Sequence, residues 1–144
     1  MVIYTIGFSK KNLREFVARL KSAGVKKVID IRLNNTSQLA GFAKKDDLAY
    51  VLGLVGIEYE HLTNLAPTQD LLGSYKKKAI SWPEYEKRFL NLLQEREAST
   101  YTDRIAESDA VCFLCAEDKP NFCHRRLVAE YFASLIPGTR IEHL

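Results

Sequence analysis

The strongest constraint on the fold of this chain is a repeated alternation. Short runs of β-prone residues are separated by longer segments whose apolar residues recur at helical spacing. Val2 to Ile6 is the first such run, closed by Gly7, and Ser9 is placed to cap a helix with an apolar face of Leu13, Phe16, Val17 and Leu20. Gly24 ends that helix, and Lys27 to Ile31 reads as a second strand with Asp30 and Arg32 at its carboxyl end. A helix over Lys45 to Val55 stops at Gly56 and leads into a third strand, Ile57 to Leu62. A helical stretch begins at Pro67-Thr68, and Ser81-Trp82-Pro83-Glu84 is a capping box that opens a long amphipathic helix bearing Trp82, Tyr85, Phe89, Leu92 and Leu93 on one face. A short helix over Tyr101 to Glu107 precedes a fourth strand, Ala110 to Cys115; a helix from Arg126 to Leu135 and a last strand near Arg140 to His143 complete the order. Strands separated by helices cannot pair as hairpins. The pattern therefore predicts an α/β layered fold with a mainly parallel sheet of about five strands and helices on both faces.

The chain has 144 residues, 47% of them apolar and 27% charged, and shows no repeat, low-complexity tract or linker. One α/β domain over residues 1–144 is the expectation. No apolar run approaches the roughly 18 residues of a membrane span, and Met1-Val-Ile-Tyr enters a strand pattern directly, so no membrane contact and a cytoplasmic location are expected. Twenty-one Lys and Arg against 18 Asp and Glu give a net charge of +3, too mild to imply nucleic acid by itself. Three cysteines make a disulfide framework improbable and favour free thiols.

Chemically reactive residue types gather in Val111 to Arg126. There an apolar strand ends at Cys115, passes a polar turn with Pro120 and Asn121, and re-enters a helix through Cys123-His124-Arg125. If the strands are parallel, their carboxyl ends bring Gly7 to Ser9, Asp30 to Arg32, His61 and Cys115 to Glu117 to one edge, beside the helix start at Cys123. Cys115 then faces a helix N-terminus with His124 and Arg125 near, the setting of a thiolate nucleophile or redox group; the competing role is a buried, inert thiol. Cys112 lies three residues earlier in the same strand, so it points to the opposite face and belongs to the core. Cys112-x-x-Cys115 has knuckle-like spacing but sits in a strand and not in a tight turn, which argues against a zinc site, although a smaller set of Cys115, Cys123 and His124 stays open; no metal is assigned. Arg125 and Arg126 oppose the dipole of the helix they open, which points to an anion or to a carboxylate partner such as Asp30. Arg32 is either a second arm of an anion clamp or a partner of Asp30 or Glu117. Asn34 to Ser37 reads as a pocket mouth or an ordinary loop.

Thr5-Ile6-Gly7-Phe8-Ser9, Asp30-Ile31-Arg32, Glu58-Tyr59-Glu60-His61-Leu62 and Cys115-Ala116-Glu117 with Cys123-His124-Arg125 together resemble the domain of unknown function 488 family of small bacterial and archaeal proteins, over essentially the whole chain. The resemblance implies an α/β fold with a shared site at the strand ends and implies no activity. Two departures stand out: Leu33 to Gln38 replaces the Pro-containing, arginine-rich loop common in the family, and Phe8 stands where histidine is common, which removes a catalytic histidine there. The loop also invites comparison with thiol phosphatases and sulfurtransferases, but Cys115 precedes Arg125 by ten positions, too far for the compact phosphatase cradle.

These readings converge on an enzyme-like protein that holds an anionic small molecule or a nucleotide phosphate at the Cys115 to Arg125 loop. Cys115 or Cys123 would supply thiol chemistry, Glu117 and His124 would manage protons, and Gly7, Ser9, Asp30, Arg32 and Arg125 would bind the ligand. The alternative is a non-enzymatic nucleic-acid-binding module using Lys44, Lys45 and Lys76 to Lys78. No cofactor and no oligomeric state is assigned from sequence.

Overall fold

The computed structural model describes residues 1–35 and 41–144. Five strands, β1 (Val2–Gly7), β2 (Lys27–Asp30), β3 (Glu58–His61), β4 (Ala110–Cys115) and β5 (Arg140–His143), form one sheet in the order β3-β2-β4-β1-β5. All four pairings are parallel, so the α/β layered architecture expected from the alternation is the one observed. β4 is paired on both sides, with Gly7 opposite Cys115 and Asp30 opposite Leu114. Its near-continuous apolar sequence follows from that central position, because both of its faces are covered.

Helices α1 (Leu13–Ala23) and α2 (Lys45–Leu54) cover one face through Phe16, Leu20, Leu48 and Leu52, which pack on Ile6, Val28, Cys112 and Leu114. The other face is covered by α3 (Gln69–Lys76), α4 (Trp82–Glu95), α5 (Thr102–Glu107) and α6 (His124–Leu135), with Tyr85, Phe89, Leu93 and Phe132 against Ile3, Ile29, Val111 and Phe113. Alternation along β4 thus sends Cys112 into the α1/α2 layer and away from Cys115, as the strand period requires. Full burial of each large apolar side chain stabilises the fold by roughly 1.5–3 kcal/mol relative to exposure.

The helix ends show where local signals are read. Ser81 caps α4 by accepting the Glu84 N–H at 3.3 Å, with Pro83 in the first turn. Gly24 takes φ +74° at the end of α1, a left-handed conformation that an L side chain adopts only with strain. Ser9 is not the cap of α1, however. Asn12 holds that position, accepting the Glu15 N–H at 2.8 Å, because the helix begins only at Leu13, four residues past Ser9, whose N–H instead joins it to the Ala116 carbonyl at 3.0 Å. The last helix starts earlier than Arg126, at His124, with Cys123 as its cap residue in extended conformation. Thr36, Ser37 and Gln38, part of the expected loop, lie outside the described residues.

From β2 the chain runs on to β3, and from β4 it returns to β5 on the opposite side of the sheet. Adjacent strands whose connections leave in opposite directions open a crevice at their carboxyl ends. Here that crevice separates Asp30-Ile31-Arg32 from Cys115-Ala116-Glu117.

Candidate functional site

Two backbone bonds fold the segment after Cys115 back over β1: the Phe8 N–H donates to the Cys115 carbonyl at 3.3 Å, and the Ser9 N–H to that of Ala116. Gly7 makes this approach feasible. A Cβ at position 7 would overlap the Glu117 carbonyl oxygen and Nη1 of Arg125. Arg125, only 1% exposed, donates from Nη1 to the Glu117 carbonyl and from Nη2 to that of Asp118 at 3.1 Å. Lys11 ties the same loop down through Asp118 at 3.0 Å. Arg125 therefore splints the loop from behind, which accounts for a cation in the first turn of a helix without a bound anion. Arg126 is accounted for by carboxylates, Glu130 at 2.8 Å and Glu86 at 3.1 Å.

In front of this splint lie three groups. Cys115, Cys123 and His124 are 6%, 3% and 6% exposed, and their sulfur and ring nitrogen atoms lie within 4.8 Å of one another. Nε2 of His124 lies 2.7 Å from the Ile31 carbonyl, and Nδ1 lies 3.6 Å from Cys115 Sγ. A carbonyl only accepts, so Nε2 carries a proton, and Cys115 Sγ lies beside the ring, 3.6 Å from Nδ1 and 4.0 Å from Nε2. The hydrogen bond from Cys123 holds Cys115 well below its ordinary thiol range; burial opposes this, and the His124 charge and hydrogen bond and the Ala116 N–H reinforce it. Cys123 moves in the opposite direction, well above its ordinary range, because it donates to Cys115 and is buried. Burial disfavours the His124 cation, but the facing Cys115 charge and the bonds to Cys115 and Ile31 outweigh it and raise His124. The three-donor set is of the type that holds a soft metal ion.

On the β2 side, Asp30 is fully buried and receives Arg32 as a fork, Nε to Oδ1 at 2.9 Å and Nη2 to Oδ2 at 2.7 Å. Tyr59 adds a 2.6 Å bond and Asn35 a 3.3 Å bond to Oδ2. Desolvation pushes the carboxyl up, and the Arg32, Tyr59 and backbone bonds prevail, leaving Asp30 below its ordinary value. His61 fixes the strand end through Nε2, 2.7 Å from the Arg32 carbonyl. One donor stays unmatched: Nη1 of Arg32 is buried and has no hydrogen-bond partner among the described residues.

A cavity of about 240 Å³ joins the two halves. Arg32, Asn34, Cys115, Glu117, Cys123 and His124 line its polar side; Pro67, Leu72, Tyr75, Trp82, Tyr85 and Phe122 form its apolar wall. Trp82 and Tyr85 stack with centroids 4.9 Å apart, and the 64% exposed Phe122 meets Trp82 edge-on at the mouth. A hollow of about 320 Å³ between α3 and α4, lined by Asp70, Arg88 and Glu95 among others, has no thiol or histidine in its wall. Of the residues singled out from sequence, Cys115, Glu117, Cys123, His124 and Arg32 line the cavity, while Asp30 stands behind Arg32, and Gly7, Ser9 and Arg125 stand behind the loop. Glu117 is exposed, and its carbonyl, not its carboxylate, meets Arg125. Lys76 reaches the rim, whereas Lys77 and Lys78 are exposed and line no part of the cavity. The aromatic wall and the Asn35 and Tyr59 bonds to Asp30 are additions from the structure. The aromatic density of Tyr75 to Tyr85 was their only trace in the sequence.

Fold and site together define the class: an open parallel α/β protein with a thiol–imidazole pair at the switch point of its sheet. The chain belongs to the family described as domain of unknown function DUF488, which matches residues 12–132. No curated protein and no solved structure matches the chain. Among the described residues no helix is long and apolar enough to cross a membrane.

Proposed function

We propose that the protein is a thiol-dependent enzyme that acts on a small molecule carrying an anionic group. Cys115 is the nucleophile, His124 takes and returns its proton, and Arg32 receives the anionic end of the ligand. The observation that carries this reading is the seat of His124: the Ile31 carbonyl at 2.7 Å fixes its ring, and the ring lies against Cys115 Sγ, with Nδ1 at 3.6 Å and Nε2 at 4.0 Å, on the wall of a cavity. A packing device would not need a histidine held in one tautomer against a thiol. Nη1 of Arg32, buried and without a partner among the described residues, belongs to a side chain on the wall of the same cavity. The aromatic wall supplies contact area for the ligand body, and Lys76 at the rim adds to the field that favours anions.

Alkylation of Cys115 by iodoacetamide as a function of pH tests the reading. The reaction is expected to inflect well below the ordinary thiol value of 9.0, and to move upward in His124→Gln. Inorganic phosphate or a nucleoside monophosphate should slow alkylation in the wild type and lose that effect in Arg32→Gln. A wild-type inflection at the ordinary thiol value refutes the nucleophile, and protection that survives in Arg32→Gln refutes the anion contact.

A further inference from the structure

The thiol reading uses Cys123 only as a hydrogen-bond donor to Cys115, yet its sulfur belongs to the same buried cluster as that of Cys115, within 4.8 Å, and both side chains line the cavity. We propose that Cys115 and Cys123 form a reversible dithiol–disulfide couple opening on the cavity, with Cys115 as the attacking thiol, Cys123 as the resolving thiol and a small hydroperoxide as the oxidant. The inference rests on the Cys115–His124 pairing proposed above and adds a redox cycle to it. Three features of the fold support it. Cys115 ends the central strand, and the Phe8 N–H on its carbonyl holds its backbone there, so the attacking residue has a fixed seat. Cys123 sits at the joint between a turn and a helix, with an extended backbone (φ −131°, ψ 137°) and its N–H on the Pro120 carbonyl at 3.2 Å. Closing the bond requires the Cys123 sulfur to cover the remaining distance to Cys115, and a residue at a turn–helix joint is freer to do so than one inside the helix. Cys112, the third thiol, is fully buried on the other face of β4 and cannot compete for the oxidised sulfur. Exposures of 6% and 3% admit a small oxidant through the cavity and shut out the disulfides of folded proteins.

The chemistry balances within the named groups. The Cys115 thiolate attacks the distal oxygen of the hydroperoxide; the S–O bond forms, the O–O bond breaks, and the departing alkoxide or hydroxide takes the proton from the His124 imidazolium. Cys123 sulfur then attacks the Cys115 sulfenic acid: the S–S bond forms, the S–O bond breaks, and the hydroxide leaves as water with the proton that Cys123 gives up through His124. Sulfur loses two electrons and the peroxide oxygen gains them. A small external dithiol returns the pair to the reduced state by exchange.

The test uses the full chain, reduced and chelator-treated, with one equivalent of hydrogen peroxide, read by intact mass and peptide mapping. The wild type is expected to lose two hydrogens and to show a Cys115–Cys123 linkage that dithiothreitol reverses. Cys123→Ser and Cys123→Ala should instead accumulate a dimedone-trappable sulfenic acid on Cys115, and Cys115→Ser should lose peroxide consumption. Wild-type oxidation to sulfinic acid at Cys115 with no internal linkage would overturn the couple. So would a stoichiometric Zn²⁺ in the chain as purified, assayed in parallel before chelation, that shields both thiols from peroxide. Alkylation profiles on the same samples separate the two readings: a lowered inflection without the linkage refutes only the couple, whereas an ordinary inflection refutes the nucleophile itself.

Discussion

Replacing Gly7 with alanine perturbs the site from behind the loop, at a position that does not itself line the cavity. The added Cβ would overlap the Glu117 carbonyl oxygen and Arg125 Nη1. The first is backbone, so no rotamer change relieves the clash; the loop must lift off β1. Overpacking of this kind costs about 2 kcal/mol, and lifting the loop weakens at least one charge-assisted bond from Arg125, costing about 2 kcal/mol more. A loss of about 4 kcal/mol is a large part of the roughly 5–15 kcal/mol that holds a domain together. With an unfolding entropy near 0.3 kcal/mol/K for a chain of this length, Tm should fall by about 13 °C. Urea unfolding followed by circular dichroism measures the stability, and iodoacetamide labelling of native protein measures the site. Because the loop that lifts also carries Cys123 toward Cys115, the low-pH alkylation of Cys115 should weaken in parallel. A Gly7→Ala protein with wild-type urea midpoint and wild-type alkylation would refute the argument that position 7 is a contact surface for the loop.

Two further outcomes follow from groups described above. The Asp30 carboxyl titrates below its ordinary 3.8 in the folded protein, so the stability it contributes is present above about pH 4 and is lost as pH falls through its depressed folded value. Asp30→Asn should remove that acid-sensitive part of the curve while lowering stability at pH 7 by about 3 kcal/mol, because Arg32 is left buried without its carboxylate; an unchanged acid limb in urea titrations between pH 2 and 5 would contradict it. Burial pushes the Cys112 thiol far above its ordinary value, so in native protein Ellman's reagent should never label Cys112, and in denaturant all three thiols should react. Native labelling of Cys112, located by peptide mapping, would show that the α1/α2 layer opens more readily than its packing implies.

The sequence made the edge legible and left the opposite wall obscure, for a physical reason. Strand ends, the Ser81 cap and the opposed faces of Cys112 and Cys115 depend on local rules of period and capping, and these carried through. The local Ser9 assignment failed because a tertiary bond to Ala116 holds Ser9 to the loop after β4, and the helix starts only at Leu13, with Asn12 as its cap. The insertion of β4 between β1 and β2 is non-local, and with it comes the depth of the crevice. Tyr75, Trp82 and Tyr85 followed helical spacing and so read as one side of an amphipathic helix; that they also wall a cavity depends on how α3 and α4 seat above β4. For Arg125, composition showed a cation at the wrong end of a helix, but only the fold shows it reaching back to two carbonyls of its own loop.

The central place of β4 also sets when the site comes into being. Its register pairs Val2 with Ala110 and Asp30 with Leu114, 108 and 84 residues apart in the chain. Pairings of such separation close late in folding, after the helices and the β2–β3 neighbours have had time to form. Until β4 slides between β1 and β2, Ile31 is not beside His124 and Cys115 is an ordinary thiol, slow to react at neutral pH. The reactivity proposed for Cys115 is thus a property of the finished sheet, and a folding intermediate in which β4 is unpaired is expected to carry none of it.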